Sequence, residues 1–187
     1  MVAVYVWNYR GKNVAWGHAS MQCGDRYISW WPEPYNRVPR TKIAPQIYDA
    51  HPFVLRKFED DVRDEGMRPD WTIRIEGLDE EAIKGWWKGF NPQAHDMYGP
   101  PSAPWSTITS NCSKIVAMAL DAGGGEKYAA LGSSRNVIWT PNDVRVYALA
   151  VKAGLETRRR VAPVSAASGT QKAGTLRPAP PSSRTTR

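Results

Sequence analysis

The sequence is poor in the residues from which metal sites and disulfide scaffolds are made. Its 187 residues include two cysteines, Cys23 and Cys112, and three histidines, His18, His51 and His95. Two thiols are too few for a disulfide framework in a chain of this length. Five such residues at wide, irregular spacing make no zinc signature, so neither a metal nor another cofactor is expected. Long apolar runs are absent too, which excludes a membrane-spanning helix. The opening Met1-Val2-Ala3-Val4-Tyr5-Val6-Trp7 has no basic leader, no long apolar block and no cleavage site, and reads as a strand. The expectation is a protein made in the cytoplasm without a signal peptide and exported by a dedicated machine. Acidic residues are missing from the C-terminal end: residues 158–187 hold seven basic groups and no Asp or Glu. Removing those seven from the 25 basic residues leaves 18, against 18 acidic residues in the remainder, so the net charge of +7 belongs to the tail. A neutral body argues against a nucleic-acid-binding domain.

What is present is enough for one ordinary domain. Hydrophobic residues make up 42% of the chain, and nine tryptophans point to an aromatic-rich core or cleft. The domain is expected over residues 1–156. Residues 157–187, rich in Ala, Ser, Pro, Thr and Arg, cannot bury enough apolar surface to fold and read as a disordered basic tail.

Residues 2–8 alternate and predict a strand. A second strand is expected over 14–21 and a third over 26–31, ended by Pro32 and Pro34. Together they predict a three-stranded antiparallel meander. Residues 32–70 read as irregular, with the character of a functional flap. Residues 71–75 predict a fourth strand. Asp79 caps a helix expected to run through Phe90, with Ile83, Trp86, Trp87 and Phe90 at helical spacing. Residues 91–110 read as a loop. Thr140-Pro141 opens a last helix, expected to run to about Ala153 or Gly154.

The most informative stretch is Ser110-Asn111-Cys112-Ser113, followed by apolar Ile115, Val116, Ala119 and Leu120 and by Gly123-Gly124-Gly125. It has a helix start signal, one apolar face and a glycine stop. A thiol in a first helical turn meets the positive end of the helix dipole and unpaired amide groups, which lower its pKa. The thiolate is the nucleophile, so Cys112 is the candidate attacking group. The plainer reading is a small packed residue.

His18, in Trp16-Gly17-His18-Ala19-Ser20, is the candidate base. With the next turn centred on Cys23-Gly24, cross-strand partners sum to 47 and His18 faces Ser29. Ser29 is then placed to orient the imidazole. Asp25 is a better acceptor but lies nearer the turn. His51 or His95 takes the role of base if His18 is structural. Cys23, in a tight turn, reads as incidental and Asp143 as a first-turn helix carboxylate. Glu80-Glu81 and Asp60-Asp61 resemble paired acids. As sequence neighbours they point to different faces, and they read as solvated surface.

His on a strand, a polar residue on the next strand and Cys at a helix start resemble a papain-like cysteine site in permuted order. The set is similar to the permuted members of the NlpC-type superfamily, which includes the lecithin-retinol acyltransferase group. There, as here, an Asn-Cys pair opens the nucleophile helix. Gly-His-Ala-Ser with Tyr27-Ile28-Ser29-Trp30-Trp31-Pro32, then Gly77-Leu78-Asp79-Glu80, then Asn111-Cys112-Ser113, looks like a bacterial family of secreted effectors. The resemblance covers about residues 2–155. It departs at Ser29, where His, Asn or Asp is usual.

The resemblance implies an α+β, NlpC-like fold with an antiparallel sheet packed against helices and the nucleophile at a helix N-terminus. It implies a cysteine amidase or endopeptidase with Cys112, His18 and Ser29 as site residues. The implied substrate is peptidoglycan peptide, attacked by an antibacterial effector delivered by a type VI-like route. An immunity protein and a secretion-apparatus partner would accompany it. A protease, deamidase or acyltransferase acting on host protein would use the same site; under either reading Trp16, Trp30, Trp31 and Trp105 are candidate cleft residues for a sugar or peptide face. A non-catalytic adaptor, with the basic tail as its working part, is the reading from another class.

Overall fold

The computed structural model describes residues 1–11, 17–31, 47–49, 56–90, 104–106, 110–129 and 136–161, with backbone alone for 47–49, Phe90 and 104–106. A four-stranded antiparallel sheet forms its centre. Its strands are β1 (Val2–Trp7), β2 (His18–Cys23), β3 (Arg26–Ile28) and β5 (Trp71–Ile75), in the order β3-β2-β1-β5. A two-stranded sheet pairs β4 (Ile47–Asp49) with β6 (Pro104–Ser106). Four helices complete the mixed α+β architecture: α1 (Phe58–Glu65), α2 (Glu80–Phe90), α3 (Cys112–Ala122) and α4 (Pro141–Val161). None of the described helices is long and apolar enough to cross a membrane.

Period-2 alternation makes the sheet two-faced. Val2, Val4, Val6, Ala19, Met21, Ile28, Ile73 and Ile75 are all buried and join one apolar core with Ile83 of α2, Ile115, Val116 and Leu120 of α3, and Val144, Ala148 and Val151 of α4. The opposite face carries Tyr5, Trp7, His18, Ser20, Tyr27 and Ser29. There α1 lays Phe58 against Tyr5, with ring centroids 4.6 Å apart.

The meander forms as its alternation predicts, but its second turn lies elsewhere. Gly24 and Asp25 make the turn, with Gly24 at φ 56°. Met21 therefore faces Ile28, Gln22 faces Tyr27 and Cys23 faces Arg26. Continued along the strands, this register sets His18 against Trp31, not Ser29. A shift of two residues preserves the face of every side chain. His18 and Ser29 therefore remain on one side of the sheet.

The helix signals near the C-terminal half read well. Asp79 Oδ1 accepts from Ala82 N–H at 2.9 Å and caps α2. Thr140 and Asp143 form a reciprocal capping box on α4, Thr140 N–H donating to Asp143 Oδ2 at 2.8 Å and Asp143 N–H to Thr140 Oγ1 at 3.2 Å. Gly154 does not end α4, which continues to Val161 and takes Arg158, Arg159 and Arg160 into its last turn. Its role is close approach: a Cβ there would lie 2.1 Å from the Tyr128 carbonyl oxygen. Residues 32–70, read as irregular, contain α1 and β4, and β6 lies in the expected loop 91–110. The α1 sequence, FEDDVRDE, is nearly all charged and shows no apolar period. Its inward face is Phe58, Asp61 and Glu65 at helical spacing, with Asp61 and Glu65 both buried.

Candidate active site

Asn111 builds the start of the nucleophile helix. Its backbone is extended, and its Oδ1 accepts from Lys114 N–H at 2.9 Å. Its Nδ2 donates to the Trp139 carbonyl at 2.9 Å, which ties the helix start to the chain before α4. Cys112 is thereby the first helical residue, where the dipole and amide groups favour an anion. Cys112 is partly exposed, whereas its neighbours Asn111 and Ser113 are buried.

Behind it stands His18, the first residue of β2, 2% exposed. Cys112 and His18 are hydrogen-bonded, and the Ala19 backbone N–H and the Ser113 hydroxyl also support the sulfur. The other side of the ring is committed. Nε2 lies 3.0 Å from Asp61 Oδ2 and 3.1 Å from Ser29 Oγ, which leaves Nδ1 for the thiol. The ring packs against two indoles, Trp31 with centroids 4.4 Å apart and Trp7 at 5.6 Å.

Asp61 is the residue that sequence reasoning placed wrongly. It is not solvated surface: it is fully buried, and it is the acceptor at the centre of the site. Oδ2 accepts from His18 Nε2–H, from Tyr27 Oη–H at 2.7 Å and from Ser29 Oγ–H at 2.7 Å. Oδ1 accepts from Trp31 Nε1–H at 2.8 Å and from Arg56 Nε–H at 2.8 Å. A buried carboxylate costs several kcal/mol unless its lone pairs are satisfied, and here five donors satisfy them. Its neighbour Asp60 does a separate job, accepting from Lys57 N–H at 2.9 Å to cap α1. The two carboxylates do point apart, as sequence neighbours on a helix must, but only Asp60 points outward. The signal that identifies Asp61 is its spacing of three from Phe58, the lone aromatic of a helix that is otherwise charged except at Val62.

The electrostatics follow from this wiring. Burial by itself disfavours the imidazolium, but the Asp61 carboxylate and then the Cys112 sulfur outweigh it and carry the His18 pKa up to about 10. Burial would raise the Cys112 thiol, yet the His18 charge and hydrogen bond, the Ala19 amide and the Ser113 hydroxyl bring it below the ordinary thiol value. Burial opposes ionisation of Asp61 as well. His18, Arg56 and Ser29 reverse that and hold it well below the usual carboxylate range. Burial and the adjacent Asp61 charge push Tyr27 upward, so it stays a neutral donor. The wiring favours a proton on His18 and negative charge on the Cys112 sulfur, with the Asp61 carboxylate fixed behind them.

The remaining candidates disperse. Ser29 is in the site but donates to Asp61 and shares the His18 Nε2–H, so it supports the acceptor and does not replace it. Asp25 is at the turn, its side chain 75% exposed, beside Arg26 and Lys84. Cys23 is a buried free thiol on β2, its Sγ 3.6 Å from the Glu80 carbonyl. Burial raises it to about 11, which makes it inert. Trp30 and Trp31 are buried at 2% and 5% exposure and do not line an open cleft. His51, His95 and Trp16, and the side chain of Trp105, lie outside the described residues. Among the described residues, no group of three or more His, Cys, Asp or Glu side chains is placed to hold a metal ion.

Fold and site together define an α+β protein with a Cys–His–Asp array where a helix N-terminus meets the end of an inner strand of the sheet. The sequence profile of the IcsB middle domain matches residues 35–167, well over half the chain, and the protein belongs to that family. A stretch of 77 residues, 40% of this chain, is 32% identical to a multifunctional-autoprocessing repeats-in-toxin of Vibrio cholerae serotype O1 (strain ATCC 39315 / El Tor Inaba N16961). That stretch covers 2% of the toxin, so the chain spans a very small part of this relative. No solved structure matches the chain.

Proposed function

We propose that this chain is a cysteine-dependent acyl-transfer enzyme of the permuted papain-like type, working as a delivered bacterial effector or toxin component. One observation carries the reading: Cys112, at the first position of α3, is hydrogen-bonded to His18, whose far nitrogen is held by the buried Asp61. A nucleophile, a base and an orienting anion in line are the parts that thiol acyl transfer needs.

The Cys112 thiolate adds to the carbonyl carbon of an amide, ester or thioester. The carbonyl oxygen takes up the negative charge beside the Cys112 backbone N–H at the positive end of α3. Collapse expels the leaving group, which takes the proton from His18 Nδ1 and leaves a thioester on Cys112. His18, now neutral, removes a proton from the acceptor as that acceptor attacks the thioester. The thiolate departs and the imidazolium is restored. With water as acceptor the enzyme is a peptidase or amidase, and with an amine it is an acyltransferase. Peptidoglycan peptides and target-cell proteins both offer such a carbonyl.

The test is covalent trapping. Wild type mixed with p-nitrophenyl acetate is expected to release about one equivalent of p-nitrophenolate in a burst, with acetyl found on the Cys112 peptide. Cys112→Ala and His18→Ala are expected to lose both while remaining folded. Digestion of peptidoglycan, set against modification or cleavage of target-cell proteins, then assigns the substrate. A folded wild type that forms no Cys112 adduct contradicts the reading.

A further inference from the structure

Arg56 precedes α1 and makes three contacts at once. Its Nε donates to Asp61 Oδ1 at 2.8 Å. Its Nη2 donates to Asp64 Oδ2 at 2.6 Å. Its guanidinium carbon lies 4.7 Å from the centroid of the Trp31 ring. The far side of this arrangement is the site itself, because Trp31 stacks on His18 and its Nε1 donates to the same Asp61 oxygen and to Ser29 Oγ at 3.1 Å. Arg56 therefore touches both groups that constrain the imidazole, the anion in its plane and the indole over its face. Its side chain is only 13% exposed, so these contacts are shielded from water.

We propose that Arg56 is a positioning residue for His18: it clamps Asp61 and seats Trp31, and so fixes the ring in the orientation from which Nδ1 meets Cys112. The inference rests on the thiol–imidazole reading above. The groups that face Asp61 and His18 are Tyr27 from β3, Ser29 just after it, Arg56 before α1 and Cys112 from α3, with Ser20 bonded to Tyr27 and Asp64 to Arg56. Within this set Arg56 has a role that charge alone does not fill. A guanidinium offers a rigid planar fork and a flat face, and an ammonium offers neither. A lysine keeps the positive charge beside Asp61 but cannot bridge Asp64 and lie flat on Trp31 together.

The experiment uses the full chain as wild type, Arg56→Gln, Arg56→Lys and Asp64→Asn. Two probes report on the site: the rate of Cys112 alkylation by iodoacetamide from about pH 4 to 9, and the rate of Cys112 acylation by p-nitrophenyl acetate. In Arg56→Gln the acylation rate is expected to fall about tenfold or more, and the midpoint of thiolate formation to move up toward the ordinary thiol range. In Arg56→Lys the midpoint is expected to stay near wild type while most of the acylation rate is lost. A fold-competent Arg56→Gln with wild-type midpoint and rate overturns the proposal. So does an Arg56→Lys that restores both, since charge alone would then suffice. If Arg56→Gln does not fold, Asp64→Asn decides, because it takes the charge from the outer anchor and leaves Asp61 intact. A several-fold slower acylation supports the clamp, and a wild-type rate overturns it. An ordinary thiol midpoint in wild type itself, with no Cys112-dependent acylation, overturns the site reading and this inference with it.

Discussion

Asp61 shows how a single carboxylate sets the state of a thiol it does not touch. Its charge lies one hydrogen bond behind His18, and its five donors leave no lone pair convenient for a proton. It acts as a fixed anion. Asp61→Asn keeps the shape but removes the charge, and its amide nitrogen meets donors where an acceptor is required. Cys112 acylation is expected to slow by about a hundredfold or more in this variant, read from the p-nitrophenyl acetate burst. A rate within a few-fold of wild type would show that His18 needs no anion behind it.

The pair also leaves a mark on stability against pH. The ordinary values are 6.5 for a histidine and 9.0 for a thiol. His18 is raised, so its contribution is complete below 6.5 and is lost as pH rises toward about 10. Cys112 is lowered, so its contribution is complete above 9.0 and is lost as pH falls through its folded value. Between these ordinary values the unfolded pair holds one proton, as thiol with neutral imidazole, while the folded pair keeps the His18 proton and gives up the thiol proton as pH rises through the lowered Cys112 value. Above that lowered value the two contributions cancel in slope, and the pair predicts a plateau up to the ordinary thiol value of 9.0. In Cys112→Ala only the His18 slope remains. The variant is expected to lose stability relative to wild type progressively above about pH 6.5, measured as urea midpoints at several pH values. Parallel curves would contradict the ion pair. Asp61, held low, adds a loss as pH falls below its ordinary 3.8.

At the scale of elements, two helices bring the site together from opposite sides of one sheet. The apolar face of the sheet packs α3, whose N-terminus delivers Cys112 to the end of β2. The aromatic face packs α1, which delivers Asp61. Asn111 is the hinge point of the first. Asn111→Ala removes the cap and the hydrogen bond to Trp139, and is expected to cost about 1–2 kcal/mol in urea unfolding. Unfolding indistinguishable from wild type would show that the helix start is held elsewhere. Helix α3 was legible because it obeys local rules: a capping Asn, an apolar stripe and a glycine stop. Helix α1 was not, because its buried face is made of one phenylalanine and two acids, and no hydrophobic period marks it. The β2–β3 register missed by two residues, yet Ser29 still reached His18, since an even shift keeps each side chain on its face. Asp61 was thus hidden by the same feature that makes it work, a charge buried where sequence patterns place charges in water.

At the scale of the molecule, the C-terminal helix closes the apolar face and depends on a glycine in mid-helix. Gly154→Ala would gain about 1 kcal/mol in an isolated helix. Here its methyl group would meet the Tyr128 carbonyl, and the net effect is expected to be destabilising by about 1–3 kcal/mol. Thermal unfolding reads the sign directly, and a rise in midpoint would show that α4 can shift away from Tyr128. The same long helix carries Arg158 and Arg159 back onto the fold, Arg158 over Tyr128 and Arg159 to Glu76 at 3.2 Å. Composition assigns these arginines to a tail. Helical continuity through Gly154, which only the packing reveals, assigns them to the body.

The most direct test of the central claim is the pH dependence of Cys112 alkylation in wild type and in His18→Ala. Cys112 is expected to react already below the ordinary thiol range, with His18→Ala moving its midpoint up into that range. A wild-type midpoint at the ordinary thiol value, unchanged by His18→Ala, would mean that the sulfur and the imidazole are neighbours in the fold and nothing more.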